Sequence, residues 1–595
     1  MQRAEDRIAR GLAAAAVAFI LIAVAVAITG GLSIHLGGLL LRSHDPIRPL
    51  AAAALLLGIA AWWRGPSTVG SALEWQWQLR DRHTALAAVA LSILAILAAF
   101  HWGAFIAGGS DSYCYLNQAE LLARGAVHDH EPLSEDPTWP GNPWSFAPAG
   151  HIPLGAPAPA LVPICPAGYP LLMAGARRLA GRNAMFWITP LMGGIAIYLA
   201  FLLGRRLAGP AAGLLAAALT FSSPTFLFQL FQPMNDVMAA ALWCAALVAV
   251  LDNRRRDVAR AGLSGLLTAA AITVRPNLLP LAVATGLGMS LALPGRTPGQ
   301  RAAIVAIFGL AALPGAAIVM AIQNAMYGSP FKSGYGDLNT MFSAAHVVPN
   351  LLRYSRWLVE AQTPIIAAAL ASPWLLADAG ARRYAVLLLA FAAVTFACYL
   401  PYVVFDAWWY TRFLLPATLP LLALTAAVAV TLIGRIPGPA RAVLYGVLMI
   451  ALVAFSIRTA TARDVFRIRE LEWRFRSAGE RVAALPSNAA LITLHHSGSV
   501  RFYAGRSTLG WADIDKGRLD GAIAFLRRHG RKPYLMFEAW EEPQFRERFS
   551  GERLGALDWP PFAEIDGVKL YDPDDYDRHR HGERIVTERV VTSKR

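Results

Sequence analysis

Pro163 to Ala180, PICPAGYPLLMAGARRLA, decides the fold, because it can be read either as a bilayer-crossing helix or as a helix lying on the membrane surface. The two readings put every later loop on opposite sides. Charge makes the choice: short connections between cytoplasmic ends of spans carry an excess of Lys and Arg. A crossing at this point would turn Arg254, Arg255 and Arg256 outward. Gly168 to Ala180 therefore reads as a helix along the outer surface.

Working outward from that stretch, apolar runs fall near 11 to 29, 48 to 63, 84 to 105, 184 to 203, 209 to 231, 236 to 252, 261 to 274, 277 to 293, 302 to 324, 362 to 378, 384 to 404, 411 to 433 and 441 to 458. The expectation is an α-helical polytopic membrane protein of about thirteen transmembrane helices, several shorter than the ~20 residues of an untilted span. The 595 residues are 56% hydrophobic and 16% charged, with a mean hydropathy of +0.43, which excludes a soluble multidomain chain. The net charge of +15 is a topology signal and not a nucleic-acid footprint, since the basic residues sit in short loops such as Arg3, Arg7 and Arg10, Arg205 and Arg206, and Arg382 and Arg383. With these inside, the amino terminus is cytoplasmic and the first run is a retained span.

The outer segments are then the loop over 106–183, the Gln232 to Asp236 turn, Arg275, the loop from Gln323 to Ala361, the Asp406 to Arg412 turn and everything beyond Arg458. Three regions follow: 1–83 with two additional spans, 84–458 as a transmembrane catalytic core, and 459–595 as a small extracytoplasmic α/β domain. In the last, Arg463 to Val482 reads as a basic amphipathic helix. Ala489 to Leu494, Leu519 to His529, Tyr534 to Phe537 and Val568 to Tyr571 alternate strand and helix. Asp572 to Arg595 reads as a loosely held charged tail.

On the outer side the polar residues gather. Gly108 to Gly125, GGSDSYCYLNQAELLARG, reads as a short amphipathic helix with Tyr115, Leu116, Ala119, Leu122 and Ala123 on one face and Asn117, Glu120 and Arg124 on the other. Asp111, Tyr115 and Gln118 fall at i, i+4 and i+7. Spacing alone leaves Asp111 open between an N-cap and a functional acid. FQPMND breaks one helix at Pro233 and starts another with Asn235 and Asp236, which reads as a capped turn. Arg275 lies between apolar runs in ITVRPNLLP. YGSPFKSGYG holds Lys332 and Tyr335 on a bent backbone, and Arg412 opens a span beside Trp408, Trp409 and Tyr410. Bases at headgroup depth on an apolar wall suit a lipid-linked phosphate.

The acidic outer loop with its two surface helices, PAGYPLLMA, QPMND, YGSPFKSGYG and YTRFLLPATLP together resemble the C-type membrane glycosyltransferases, in particular bacterial relatives of the protein mannosyltransferase and aminoarabinose transferase group. The resemblance covers roughly Thr84 to Gly434. It implies an inverting transferase that uses a polyprenyl-phosphate sugar donor and a glycan, lipid or protein acceptor of the cell envelope at the outer face of the cytoplasmic membrane. It makes Asp111 the general base, with Asp236 the next acid. Arg275, Lys332, Tyr335 and Arg412 become donor-phosphate ligands. Tyr115, Gln118, His495 and His496 are the acceptor-side candidates. Two departures stand: Ser112 follows Asp111 where many members have a second acid, and the spans ahead of Thr84 are additional.

No cofactor is expected. The run VHDHEPLSED offers His128, Asp129, His130 and Glu131 to a metal but reads as a solvated loop. Cys114 and Cys165 share the outer loop and can pair if the compartment is oxidising, but two free thiols are the favoured reading. A transporter or flippase lined by Asp111, Arg275 and Arg412 is disfavoured because the chain has no repeated halves. A membrane assembly protein would use HHSGSVRFYAGR, from His495 to Arg506, as its contact.

Overall fold

The computed structural model describes residues 81–592 except 137, 140, 156–159, 253–255 and 437–439, together with 12, 15, 16, 19, 23, 26, 32–36, 39–43, 45 and 47–64. Most of the first expected span, and Arg3, Arg7, Arg10, Arg80, Arg254 and Arg255, lie outside the described residues.

The chain is a multi-pass membrane protein. Among the described residues, seven helices are long and apolar enough to cross a bilayer, fewer than the thirteen expected. Part of the difference is geometric. Ile188–Ser222 runs as one helix by hydrogen bonding, but Ala208 and Gly209 leave helical φ/ψ, Gly209 at φ 83°. A Cβ on Gly204 would lie 2.6 Å from the Ala212 carbonyl oxygen, and one on Gly213 2.7 Å from that of Phe201. The two halves therefore fold back on each other as a tight hairpin, and only glycine permits that approach. The rest of the difference lies in shorter apolar helices, among them Asp236–Leu251, Pro276–Leu291 and Pro364–Leu375.

Leu415–Ile433 is the central helix. Its residues from 415 to 428 are all buried, and it packs along the 188–222 hairpin. Its outer end begins at the Trp408–Leu414 turn, which fixes the depth and direction of Arg412.

The outer loop forms α1, Asp111–Ala123, and α2, Gly168–Ala180, as expected. α1 is less amphipathic than its sequence implies. Ser112, Tyr113, Cys114, Tyr115, Leu116, Gln118, Ala119 and Leu121 are all buried, because α2 covers one side and the carboxyl-terminal domain another. Cys114 and Cys165 form a disulfide, so the expectation of two free thiols is corrected. The bridge ties α1 to the segment leading into α2, where the backbone brings the two Cα atoms within 6.2 Å.

Residues beyond 459 contain a six-stranded mixed sheet. Its strands are β1 (Ala489–Ile492), β2 (Ser507–Leu509), β3 (Lys532–Phe537), β4 (Ala563–Ile565), β5 (Val568–Tyr571) and β6 (Glu588–Val590), in the order β6-β4-β5-β3-β1-β2. The segment from Asp572 is not a loose tail. Asp574–Arg580 is helical with Tyr576 buried, β6 pairs parallel with β4, and Thr592 accepts a 3.0 Å hydrogen bond from the Trp473 indole.

The domain is docked on the loop. Ala107 N donates to Tyr503 Oη at 2.9 Å, Ala149 N to Ser497 Oγ at 3.0 Å, and Gly510 N to Ser145 O at 2.6 Å. Leu133 and Phe146 of the loop are buried in the same core as Leu509, Trp511 and Phe525 of the domain.

Candidate active site

Ser110 occupies the position before α1 without capping it, and the Asp111 side chain turns away from the helix to Arg412. Arg412 Nη2 donates to Asp111 Oδ2 at 2.7 Å. The Asp111 side chain keeps 47% of its exposure while Arg412 keeps 14%. Asp111 is thus an acid open to the outer side, held by a base that is mostly enclosed.

Asp236 does not cap its helix either. It sits at 0% side-chain exposure in an ion pair with Arg275, which also donates to Tyr399 Oη at 3.0 Å and Asn235 Oδ1 at 3.3 Å. Asn235 Nδ2 in turn donates to Val274 O at 3.0 Å. The expected capped turn is therefore a buried charge site. Burying two ions costs several kcal/mol each, which is recovered only when geometry and further hydrogen bonds are good; removing one partner typically costs ~3–5 kcal/mol. The two pairs adjoin. The Phe413 ring lies 5.5 Å from the Arg275 guanidinium and 5.1 Å from that of Arg412, and stacks on Tyr399 at 5.0 Å.

Two buried atoms at this centre lack a hydrogen-bond partner, Asp236 Oδ2 and Arg412 Nε. Each guanidinium nitrogen of Arg275 is bonded to a protein group, whereas Arg412 Nε is unused. Tyr115 projects into the same centre. Burial holds its phenol well above the ordinary value, Tyr335 and Asp111 push the same way and Arg275 opposes them. Tyr335 is 42% exposed at the outer edge, within electrostatic reach of Asp111, Arg275 and Arg412. Six of the residues singled out from the sequence therefore meet: Asp111, Tyr115, Asp236, Arg275, Tyr335 and Arg412.

The others are placed differently. Lys332 is exposed and makes no ion pair with any described residue, so the bent loop brings Tyr335 in and leaves the lysine out. Gln118 is buried and its amide faces Met326 Sδ at 3.5 Å, beside the disulfide and away from the charges. His495 and His496 belong to the carboxyl-terminal domain, yet His495 Nε2 lies 3.9 Å from where a Cβ on Gly109 would stand, two residues before Asp111. The 127–136 run is not solvated throughout: Glu131 is 3% exposed and pairs with Arg501 at 2.9 Å, while His130 pairs with Glu135 at 2.9 Å. Asn235, Tyr399 and Phe413 were not singled out as site residues. Their positions at the outer ends of apolar runs read as caps and an aromatic belt, and only the convergence of three helices gives them a shared partner.

A family model described as the N-terminal part of oligosaccharyl transferase STT3 matches residues 84–250. No curated protein matches the chain. Among solved structures, the chain is similar to the Archaeoglobus fulgidus oligosaccharyltransferase tethered with an acceptor peptide, with 12% identity and a TM-score of 0.46 over 80% of this chain and 72% of that one. It is similar to ArnT from Cupriavidus metallidurans bound to undecaprenyl phosphate, with 10% identity and a TM-score of 0.46 over 78% and 94%. The arabinofuranosyltransferase AftD from Mycobacteria gives 14% identity and a TM-score of 0.48 over 83% and 40%. The family match begins in the span before Asp111 and ends in the helix that starts at Asp236, and it supports the resemblance of this chain to the C-type superfamily of membrane glycosyltransferases.

Proposed function

We propose that this protein transfers a sugar from a polyprenyl-phosphate-linked donor to an acceptor of the cell envelope, with inversion, at the outer face of the cytoplasmic membrane. The observation that carries the reading is the Asp111–Arg412 pair: one open carboxylate and one enclosed cation with a spare donor, at the outer end of a central buried helix. A phosphate leaving group needs little acid catalysis. It needs a base for the acceptor hydroxyl and a cation for the departing oxygens. In a single displacement, Asp111 takes the hydroxyl proton as the acceptor oxygen bonds to the anomeric carbon. The carbon–oxygen bond to phosphate breaks with its electron pair going to the phosphate, and Arg412 stabilises that charge. Attack from the face opposite the leaving group inverts the anomeric carbon.

With no donor bound, Arg412 satisfies itself on Asp111. A donor phosphate competes for the guanidinium and frees the carboxylate to act as base, so binding and activation are coupled. Arg275, bonded to Asp236, Asn235 and Tyr399, adds positive potential and holds Phe413 in place. The acceptor approaches from the side of the docked domain, where His495 borders the loop before Asp111.

Asp111→Asn tests the base. It keeps the size of the side chain and an oxygen that can still accept from Arg412, so a purely structural role would largely survive it. Transfer should fall by at least ~10²- to 10⁴-fold with the fold and donor binding retained. A folded variant that transfers sugar at close to the wild-type rate would sink the assignment.

A further inference from the structure

His495 and His496 follow β1, and Glu538 follows β3, so adjacent parallel strands of the docked domain bring three side chains together at their carboxyl ends. His495 Nδ1 lies 2.9 Å and His496 Nε2 3.0 Å from the same oxygen, Glu538 Oε1. His496 is fully buried. Its other ring nitrogen faces Ser499 Oγ at 3.5 Å, and that hydroxyl donates its one proton to the His496 carbonyl at 3.1 Å. Two imidazole nitrogens thus converge on one carboxylate oxygen.

The surroundings have the form of a metal site. The Glu538 carboxylate is oriented by Trp540 Nε1 at 3.0 Å on Oε2 and by Arg474 Nε at 2.9 Å on Oε1, as ligating carboxylates are held by outer hydrogen bonds. A second carboxylate, Glu472, is half-buried within electrostatic reach of His495 and Glu538. It makes no hydrogen bond or ion pair with any described residue. The His495, His496 and Glu538 ligand atoms all lie within 4.8 Å of one another. Tetrahedral zinc with bonds near 2.0–2.1 Å separates its ligands by about 3.3 Å, so the two short contacts need to part by only a few tenths of an ångström.

We propose that His495 Nδ1, His496 Nε2 and Glu538 Oε1 bind one zinc ion. Two imidazoles and a carboxylate are a donor set that zinc accepts and that magnesium and calcium, which prefer oxygen, do not. The site stands against Gly108 and Gly109. A Cβ on Gly108 would strike the Glu472 carboxylate and come within 2.8 Å of the Phe475 ring. The metal thus locks the part of the domain that abuts the loop carrying Asp111. It does not depend on the transfer reaction.

The test is the metal content of the full-length protein purified in detergent and dialysed without chelator, measured by plasma mass spectrometry. About one zinc per chain is expected, with thermal stability lowered by a chelator and restored by zinc but not by magnesium. His495→Ala, at the open edge of the cluster, should lose most of the zinc and the zinc-dependent rise in Tm. Should that variant not fold, the wild-type metal content and chelator response decide alone. A folded wild type without zinc and with no Tm response to added zinc overturns the proposal. So does equal zinc in wild type and His495→Ala, which would place the ion elsewhere.

Discussion

The pairing of Asp111 with Arg412 gives the two arginines of the centre different expected behaviour. Asp111 and the donor phosphate compete for Arg412. Asp111→Asn should therefore abolish turnover while leaving affinity for a polyprenyl phosphate equal to or tighter than wild type, measured by equilibrium binding of the lipid. Arg412→Gln removes the spare donor and the charge, so the apparent KM for lipid donor should rise together with a fall in kcat. Arg275→Gln acts on the fold first. It strands Asp236 at 0% side-chain exposure, so a loss of ~3–5 kcal/mol in stability is expected, read as a Tm well below that of Arg412→Gln. A single-sequence reading reaches Asp111 and Arg412 separately, one as an acid near a helix start and the other as a charge without a reason. Their contact spans 301 residues of chain, and no local pattern encodes it.

At the scale of elements, α2 was legible to the residue and α1 as a short helix within Gly108 to Gly125, because their determinants are local: glycines before α1, apolar spacing within each, and a charge rule that favoured a surface helix for α2. What closes over them was not. The disulfide depends on a distance across 51 residues, and β6 on a parallel partner more than twenty residues away. The bridge lies three residues after Asp111, so replacing both cysteines by serine should lower stability by roughly 2–4 kcal/mol and cut transfer. Treating the wild type with reductant should reproduce both effects and leave the double serine variant unchanged. The short strand His151–Leu154 supplies a second check. His151 is buried against the Tyr113 ring and 2.8 Å from Asn117 Nδ2, and burial lowers its pKa to about 4. An unfolded histidine titrates near 6.5, so the unfolded chain binds the extra proton between these values. Stability is then full above about pH 6.5 and falls as the pH drops toward 4, by an amount on the order of 3 kcal/mol. Tm against pH should show this slope in wild type and lose it in His151→Gln.

For the whole molecule, the docking of the carboxyl-terminal domain on the outer loop turns two topology statements into one. Tyr503 and Ser497 are hydrogen-bonded to Ala107 and Ala149, so residues 106–183 and 459–595 share a side of the membrane whatever that side is. Our proposal, from the charge rule, is that it is the outer one. Cysteines introduced at Gly336 and Ser487, both exposed, should react with an impermeant thiol reagent added to intact cells. Labelling of only one of the two would contradict the docked arrangement, and labelling of both only after lysis would reverse the orientation. The docking includes one buried ion pair. Arg501 keeps 12% and Glu131 4% of side-chain exposure, and the guanidinium also donates to Thr508 Oγ1 at 2.8 Å and to Phe146 O at 3.0 Å. Arg501→Leu leaves Glu131 a buried charge with only the Ser507 hydroxyl, 3.2 Å away, to answer it, at a cost of ~3–5 kcal/mol that falls on the interface and not on the transmembrane core. The expected outcome is a chain that still inserts and labels correctly but whose domain becomes protease-sensitive and whose transfer activity drops. Glu131→Gln with Arg501→Leu removes the stranded charge and should recover part of the loss. If activity survives Arg501→Leu while the domain is shed by protease, the domain is dispensable for transfer and the acceptor does not approach along it.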